Sequence, residues 1–278
     1  MNKLTFATAL VGAVAFSGVA AAQVAVFATN PQGSLGYRTG IAVAKTVTAK
    51  ADGITGRPQP MGGSTTYIPI VNRGEVGFGF SNGMETLYAY KGTGTFAGRA
   101  QPNLRMVGRM FPLRTGIATV SNFGARSIHD LKKLKGKRIT SKYTSLSIIE
   151  TFIEGALANG NADYGMFKKV PVSGFAKGIF ALGEGKTDIS WISLGSGAGR
   201  KVNTQLRGRG GFVYLDMDTS PAAAARFSKI MPAAKIVLEK NTKMPGITKP
   251  THIVEIDYVL FTHKGMDNET VYKITKAL

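Results

Sequence analysis

A short apolar strand, a turn containing Gly or Ser, and a helical pattern follow one another repeatedly along the chain. Gln23–Thr29 predicts a strand, and the turn after it leads through Ser34 into a helix at Ile41–Val47. The same order recurs around Ser64, where a strand resumes at Val76–Phe80, and again around Ser145. This alternation is typical of α/β proteins with parallel sheets. We therefore predict an α/β fold.

Ser34, Ser64 and Ser145 each fall at a predicted strand-to-helix turn, where they are candidate helix caps. In open parallel sheets, ligands bind beyond the carboxyl ends of the strands, where the next helices begin. Helix N-termini offer unpaired N–H groups and partial positive charge to a carboxylate or phosphate. Each Ser alone could simply cap its own helix. Three of them at equivalent turns favour a common site for an anionic group.

The first 22 residues have the layout of a secretion signal. Lys3 precedes an apolar run from Leu4 to Ala20, and the small residues Ala20–Ala22 predict cleavage after Ala22. The apolar run is short and rich in Ala and Gly, which disfavours a membrane anchor. The chain has no Cys, which excludes disulfides, thiolate metal sites and lipid-modified cysteine. The mature protein is therefore expected to be periplasmic, without a lipid anchor.

The chain is strongly basic, with 35 Lys and Arg against 16 Asp and Glu and a formal charge of +19. This balance predicts attraction to anions, whether nucleic acid, anionic membrane or small acids. The stretch from Lys91 to Arg126 contains six basic residues, counting both ends, and no acid lies between Glu85 and Asp130. We interpret the run as a solvated face from which Arg114 is the candidate to contact a ligand carboxylate.

Enzyme motifs are absent or incomplete. Gly185–Thr187 resembles the end of a phosphate-binding loop, but Phe180 stands where that loop requires Gly. No Gly-x-Ser-x-Gly nucleophile motif occurs, and the three His residues are too scattered for a metal site. We therefore predict no catalytic residue, no metal and no cofactor, and a protein that is not an enzyme.

Five segments resemble the TAXI class of periplasmic solute-binding proteins that serve TRAP transporters. They occur in the order of that family across the mature chain, and the third and fourth are the most specific: GSLGYRTGIAVAK (Gly33–Lys45), GGSTTYIPIVNRGEVGFGFSN (Gly62–Asn82), AYKGTGTFAGRAQPNLRMVGRMFP (Ala89–Pro112), SIHDLKKLKGKRIT (Ser127–Thr140) and GKTDISWIS (Gly185–Ser193).

The resemblance implies a type II periplasmic-binding-protein fold, with two α/β lobes that close on one small molecule. Lobe I is expected at 23–121 plus 217–278 and lobe II at 122–216. The ligand would be a small organic acid, and the loaded protein, a monomer, would deliver it to membrane subunits of a TRAP permease driven by an ion gradient. No nucleic-acid partner is expected.

The positions that match the pocket segments of the family carry hydroxyls, an amide and aromatic rings. These groups suit a carboxylate held by neutral donors. Together with Arg114, the candidate ligand-binding residues are Ser34, Tyr37, Ser64, Thr65, Ser81, Asn82, Tyr143, Thr144, Ser145, Trp191 and Ser193.

Two other classes of function stay open. A cationic envelope protein that binds polyanions would fit the net charge, although its Lys and Arg residues should then be clustered among exposed aromatics. An exported enzyme on the same two-lobed scaffold is the other, because a fold does not determine a function.

Overall fold

The structure is a computed structural model that describes residues 22–278. The predicted secretion signal, apart from Ala22, lies outside the described residues. Within residues 22–278, none of the helices is both long enough and apolar enough to cross a bilayer.

The described residues form ten strands: β1 (Gln23–Thr29), β2 (Ile54–Pro60), β3 (Phe78–Asn82), β4 (Leu104–Val120), β5 (Arg138–Ser141), β6 (Lys168–Pro171), β7 (Ile189–Ser193), β8 (Phe212–Tyr214), β9 (Lys235–Glu239) and β10 (Thr251–His263). They form one hydrogen-bonded sheet in which the main order is β2-β1-β3-β10-β4-β7-β5-β6, while β8 pairs with β4 and β9 with β10.

Helices connect the strands, as the strand–turn–helix pattern predicts. They are α1 (Leu35–Lys50), α2 (Ser64–Asn72), α3 (Gly83–Lys91), α4 (Ile148–Asn159), α5 (Phe175–Gly183), α6 (Gly197–Gln205), α7 (Pro221–Ile230) and α8 (Asn268–Ala277). The segment Ile128–Leu134 forms a 3₁₀ helix.

The parallel strands fall into two groups. In the first lobe, β1 pairs in parallel with β2 and β3, and in the second lobe β5 pairs in parallel with β6 and β7. Between them run the long antiparallel strands β4 and β10. The last six residues of β4 are all buried, because β7 and β8 flank them. Two α/β lobes joined by crossing strands are the predicted architecture, and this prediction is confirmed.

The hydrophobic core follows the same division. One cluster is built around Phe27, Phe78 and Phe80 of the first lobe, whose rings stack on one another. The largest cluster is centred on α4 and β7 of the second lobe, where Phe152 packs against Trp191, and it continues through β4 and β10 to Met84 of α3. Each lobe thus has a cluster centred within it, and the crossing strands connect the larger one to the first lobe.

The predicted lobe boundaries stay a prediction, and one contact suggests a revision. Helix α7 lies in the part assigned to lobe I, yet it packs on α4 of the second lobe. The Arg226 guanidinium donates to the Ala158 and Asn159 carbonyls at the end of α4, and Met231 fills the space beside Gly155. We therefore propose that α7 moves with the second lobe.

The three predicted serine caps have different outcomes. The Ser34 Oγ accepts the Tyr37 N–H and caps α1, which confirms that prediction. The prediction is wrong for Ser64, because α2 begins with Gly63 as its cap and the Ser64 hydroxyl donates to Glu85. It is also wrong for Ser145, whose hydroxyl donates to the Ser173 carbonyl while α4 begins after Ser147.

Candidate functional site

A small cavity lies between the two lobes, at the carboxyl ends of the parallel strands. Asn30 follows β1, Ser81 and Asn82 end β3, and Ser193 ends β7, which is the edge where ligands bind in α/β sheets. Its volume is about 30 Å³. It is lined by Asn30, Ser64, Ser81, Asn82, Leu113, Thr115, Leu146, Ile149, Phe152, Phe175, Trp191, Ser193 and Tyr258.

Behind the first-lobe wall of this cavity lies the fully buried carboxylate of Glu85. Its Oε2 accepts hydrogen bonds from the Ser64 and Ser81 hydroxyls, the latter at 2.9 Å, and from the Asn82 amide at 3.3 Å. Its Oε1 accepts from the Thr65 hydroxyl at 3.0 Å. The four polar residues predicted for this wall therefore converge on an internal carboxylate. We call these four residues and Glu85 the Glu85 cluster.

Glu85 is held at this place by the start of α3. Asn82 caps that helix with its Oδ1, which accepts the Glu85 N–H at 2.8 Å. Burial raises the pKa of Glu85, and the hydrogen bonds from Ser64, Ser81, Thr65 and Asn82 oppose that rise without cancelling it. The cluster is therefore a polar network inside an apolar region, where hydrogen-bond directions are strongly constrained.

A second polar corner of the cavity is formed by Asn30 and Tyr258. Packing fixes the Tyr258 ring, which stacks on Phe80 with a centroid separation of 6.2 Å and contacts Phe111 at 5.2 Å. Its buried hydroxyl has no hydrogen-bond partner among the described residues. Burial also raises the pKa of Tyr258, so the hydroxyl keeps its proton and can donate it.

This corner adjoins the N-terminus of α1. A Cβ at Gly36 would collide with the Tyr258 hydroxyl and lie 3.2 Å from Nδ2 of Asn30. Oδ1 of Asn30 is within hydrogen-bonding distance, 3.3 Å, of the Tyr67 hydroxyl, which leaves Nδ2 as the outward donor. Two neutral donors and the positive end of a 16-residue helix thus meet at one point.

The second lobe contributes a mostly apolar wall. Trp191, only 1% exposed, packs against Phe152 with ring centroids 5.7 Å apart, and Leu146, Ile149 and Phe175 complete the wall. Thr115, on β4 opposite Ser193 of β7, also lines the cavity, but its hydroxyl donates to the Ile192 carbonyl at 3.0 Å. This wall suits the apolar part of a ligand.

Contacts between the lobes close over this cavity. The Ala198 N–H donates to the Gly33 carbonyl at 3.0 Å, and the Ser147 N–H donates to the Thr65 hydroxyl at 3.1 Å. The Arg38 guanidinium donates to the Gly195 carbonyl at 2.9 Å. A cavity of about 30 Å³ has room for only one or two waters. An organic solute would therefore enter and fit only with the lobes further apart.

Five of the predicted ligand-binding residues line the cavity: Ser64, Ser81, Asn82, Trp191 and Ser193. Thr65 lies one layer behind it in the Glu85 cluster. The remaining predicted residues do not line it.

Two of those residues are committed to other partners. Arg114 forms ion pairs with Glu239 at 2.8 Å and Glu255 at 3.1 Å, so it does not present its charge to the cavity as the sequence analysis expected. Tyr143 is also buried away from the cavity, because its hydroxyl donates to Oγ1 of Thr140 at 2.6 Å beneath α5.

The other four lie at the boundary between the lobes or on the surface. The Ser34 oxygen caps α1, and Tyr37 is half-buried in the first turn of that helix. The Thr144 and Ser145 hydroxyls both donate to the Ser173 carbonyl. The backbone of Ser145 lies against Gly63 of the first lobe.

The sequence analysis missed Asn30, Tyr258 and Glu85. A signal existed for Glu85, since it is the single acid between Glu75 and Asp130 in a strongly basic stretch. Tyr258 gave no comparable signal, because only the antiparallel pairing of β10 with β3 brings it opposite Asn82.

A larger groove of about 470 Å³ lies elsewhere, along α3, and is lined by residues that include Leu87, Tyr90 and Met106. We regard the interlobe cavity as the better site, because buried polar groups of the first lobe converge there opposite the apolar wall and Ser193 of the second lobe. Within residues 22–278, no group of three His, Asp or Glu side chains could hold a metal ion.

Comparisons with known proteins agree with this architecture. A model described as the NMT1-like family matches residues 27–278. None of the curated proteins matches the sequence. The structure is similar to that of a periplasmic transporter, with a TM-score of 0.58, 14% identity, and coverage of 92% of this chain and 81% of that one.

Two further solved structures are similar at low sequence identity. PhnD1 from Prochlorococcus marinus, in complex with methylphosphonate, has a TM-score of 0.56 and 14% identity, over 92% of this chain and 82% of that one. The amino acid ABC transporter substrate-binding protein AbpA from Streptococcus pneumoniae, bound to L-arginine, has a TM-score of 0.52 and 12% identity, over 91% and 86%. At such identities the likeness concerns the fold alone.

Proposed function

The chain belongs to the NMT1-like family, and we propose that it is an extracytoplasmic solute-binding protein that captures a small organic acid between its lobes. The observation that carries this proposal is the Tyr258 hydroxyl, buried, unpartnered among the described residues, and placed against the first turn of α1. With Nδ2 of Asn30 it offers neutral donors to a carboxylate beside a helix N-terminus. Hinge motion about β4 and β10 would open and close the site.

Binding is favoured over catalysis by the chemistry of the cavity wall. The described residues that line it carry amides, hydroxyls and apolar side chains, without a His, Lys or acid to act as a general base. A polyanion-binding role is disfavoured for the same site, since its lining holds no Lys or Arg.

The partner in the membrane has two candidates. The sequence resemblance favours a TRAP-type permease of the TAXI class driven by an ion gradient. The structural likeness to a substrate-binding protein of an ABC transporter favours an ATP-driven permease as the alternative. Measuring uptake of the identified solute in cells distinguishes the two permeases. Loss of uptake when the ion gradient is collapsed at constant ATP supports the TRAP-type permease. Loss of uptake on ATP depletion at a constant gradient supports the ATP-driven permease.

The binding proposal is tested by thermal unfolding in the presence of small carboxylates. A ligand that binds the folded state stabilises it by RT ln(1 + [L]/Kd), about 2.7 kcal/mol at a hundred times Kd. We expect saturable stabilisation by at least one small acid, and none by the amide or ester of the same acid. Stabilisation by the neutral analogues as well would contradict a carboxylate site.

A further inference from the structure

The Glu85 cluster fixes the direction of the hydrogen bonds on the first-lobe wall. Three hydroxyls and one amide meet the two oxygens of Glu85, and four donors fill the acceptor capacity of an ionised carboxylate. A hydroxyl has a single hydrogen, whereas an ionised carboxylate can only accept. The hydroxyls of Ser64 and Ser81 both lie within hydrogen-bonding distance of the same carboxylate oxygen, so both hydrogens point at Glu85 and away from the cavity. What these two serines present to the cavity is therefore the remaining lone pairs on their oxygens.

The other hydrogen-bonding groups around Glu85 also have partners that fix the direction of their hydrogen bonds. The third hydroxyl, on Thr65, donates to the other Glu85 oxygen and accepts the Ser147 N–H at 3.1 Å. Oδ1 of Asn82 already accepts the backbone N–H of Glu85, while Nδ2 donates to the carboxylate. Among the described residues, Glu85 has no Lys, Arg or His within ion-pair distance.

We propose that Glu85 makes the first-lobe wall a hydrogen-bond acceptor surface, so that the site selects organic acids that also carry a donor, an ammonium or hydroxyl group. The inference rests on the proposed binding function and deepens it. The acid group binds at Tyr258 and Asn30, and the donor group binds the oxygens of Ser64 and Ser81. A second carboxylate at this wall meets lone pairs and, behind them, a like charge.

The test compares matched ligands on the wild-type protein at pH 7.5. The probes are ω-aminoalkanoates and ω-hydroxyalkanoates of two to six carbons. Each is paired with the alkanoate in which a methyl group replaces the donor and with the dicarboxylate in which a carboxylate replaces it. Affinity is measured by titration calorimetry. We expect the best aminoalkanoate or hydroxyalkanoate to bind at least 10-fold more tightly than both of its matched analogues.

Two variants locate the effect. Ser81→Ala removes one acceptor from the wall, so it should weaken the donor-bearing acid about 10-fold and leave the methyl analogue within 2-fold. Glu85→Gln removes the negative charge in either orientation of the new amide. The ratio of the affinity for the aminoalkanoate to the affinity for its methyl analogue should therefore fall about 10-fold. Glu75→Gln, at an exposed carboxylate paired with Arg73, is the matched control and should change neither ratio.

The outcomes separate this inference from the function on which it rests. Equal or tighter binding of the methyl or dicarboxylate analogues overturns the acceptor wall and leaves an organic-acid binding protein. A donor preference that survives Ser81→Ala unchanged also overturns it. Failure of folded wild-type protein to bind any acid in the set overturns the inference and the proposed function together.

Discussion

The α carbon of Gly63 lies so close to the carbonyl oxygen of Ser145 that a methyl group in place of its hydrogen would collide with that oxygen. Gly63 belongs to the first lobe and Ser145 to the second, so this contact exists only while the lobes are closed. The backbone of Gly63 is extended, with φ at 167°, a conformation that any residue adopts. A side chain at this position would therefore obstruct closure without straining the turn itself.

Gly63→Ala is expected to hold the lobes apart. Because the Gly63–Ser145 contact belongs to the tightly closed form, the variant should populate that form less in the absence of ligand. Small-angle scattering without ligand should therefore give a larger radius of gyration than wild type. Gly62→Ala is the control, since its methyl group would lie at an ordinary 3.4 Å from the Ser145 side chain. Equal radii of gyration of the two unliganded variants would show that this contact does not limit closure.

Tyr258→Phe should weaken carboxylate binding by about 10- to 100-fold, the range expected for a lost hydrogen bond to a charged group at about 1.5–3 kcal/mol. The unliganded variant should unfold at or above the wild-type temperature, because the hydroxyl it loses is buried without a partner. Titration calorimetry and thermal unfolding measure the two effects. Tyr272→Phe, on the exposed face of α8, should change neither. An unchanged affinity in Tyr258→Phe would remove this hydroxyl from the site.

Asp188→Asn should destabilise the second lobe by about 2 kcal/mol near neutral pH. Asp188 is buried, and its carboxylate accepts two hydrogen bonds from the Arg138 side chain and one from the Arg138 backbone N–H. Burial raises its pKa, but the hydrogen bonds from Arg138 outweigh that effect and leave the pKa lowered.

The pH dependence of this effect has a definite sign. A lowered folded-state pKa stabilises the protein above the unfolded value, about 3.9, and the contribution is lost as pH falls through the folded value. Chemical denaturation should thus show a large wild-type advantage over Asp188→Asn at pH 7 that shrinks below about pH 4. Glu184→Gln, at an exposed pair with Lys186, should behave as wild type. A pH-independent difference would contradict the ion-pair explanation.

Glu85→Gln should have the opposite pH signature. Burial raises the pKa of Glu85, so the folded state binds this proton more tightly than the unfolded state does. Wild-type stability therefore falls as pH rises from the unfolded value, about 4.3, through the raised folded value. The unfolding temperature of Glu85→Gln relative to wild type should rise over that range. If the unfolding temperature of Glu85→Gln relative to wild type fell with pH instead, the hydrogen bonds to Glu85 would outweigh burial in setting its pKa.

The alternation of strands, turns and helices could be predicted from the sequence because it depends on local apolar patterning and turn residues. The cap at Ser34 is also local, since its partner is three residues away. Ser64 could not be assigned in this way, because Glu85, 21 residues later, competes for the same hydroxyl. Arg114 was misassigned for a similar reason: its partners lie 125 and 141 residues further along the chain.

The site itself was predicted only in part. Ser81 and Ser193 were placed at the site by the family resemblance, and both lie at the ends of strands where the parallel-sheet rule expects ligands. Tyr143 looked equivalent in the sequence, yet its hydroxyl is taken up by Thr140 inside the second lobe. Which way a polar side chain points depends on partners that only the folded chain brings together.

Trp191 is the single tryptophan of the chain, and it lines the interlobe cavity. Titration of purified protein with small organic acids, followed by Trp191 fluorescence, therefore tests solute capture between the lobes most directly. We predict a saturable change in emission with a midpoint that matches the calorimetric Kd. An acid that binds by calorimetry and leaves the Trp191 emission unchanged would contradict the account, because it would place the bound solute elsewhere.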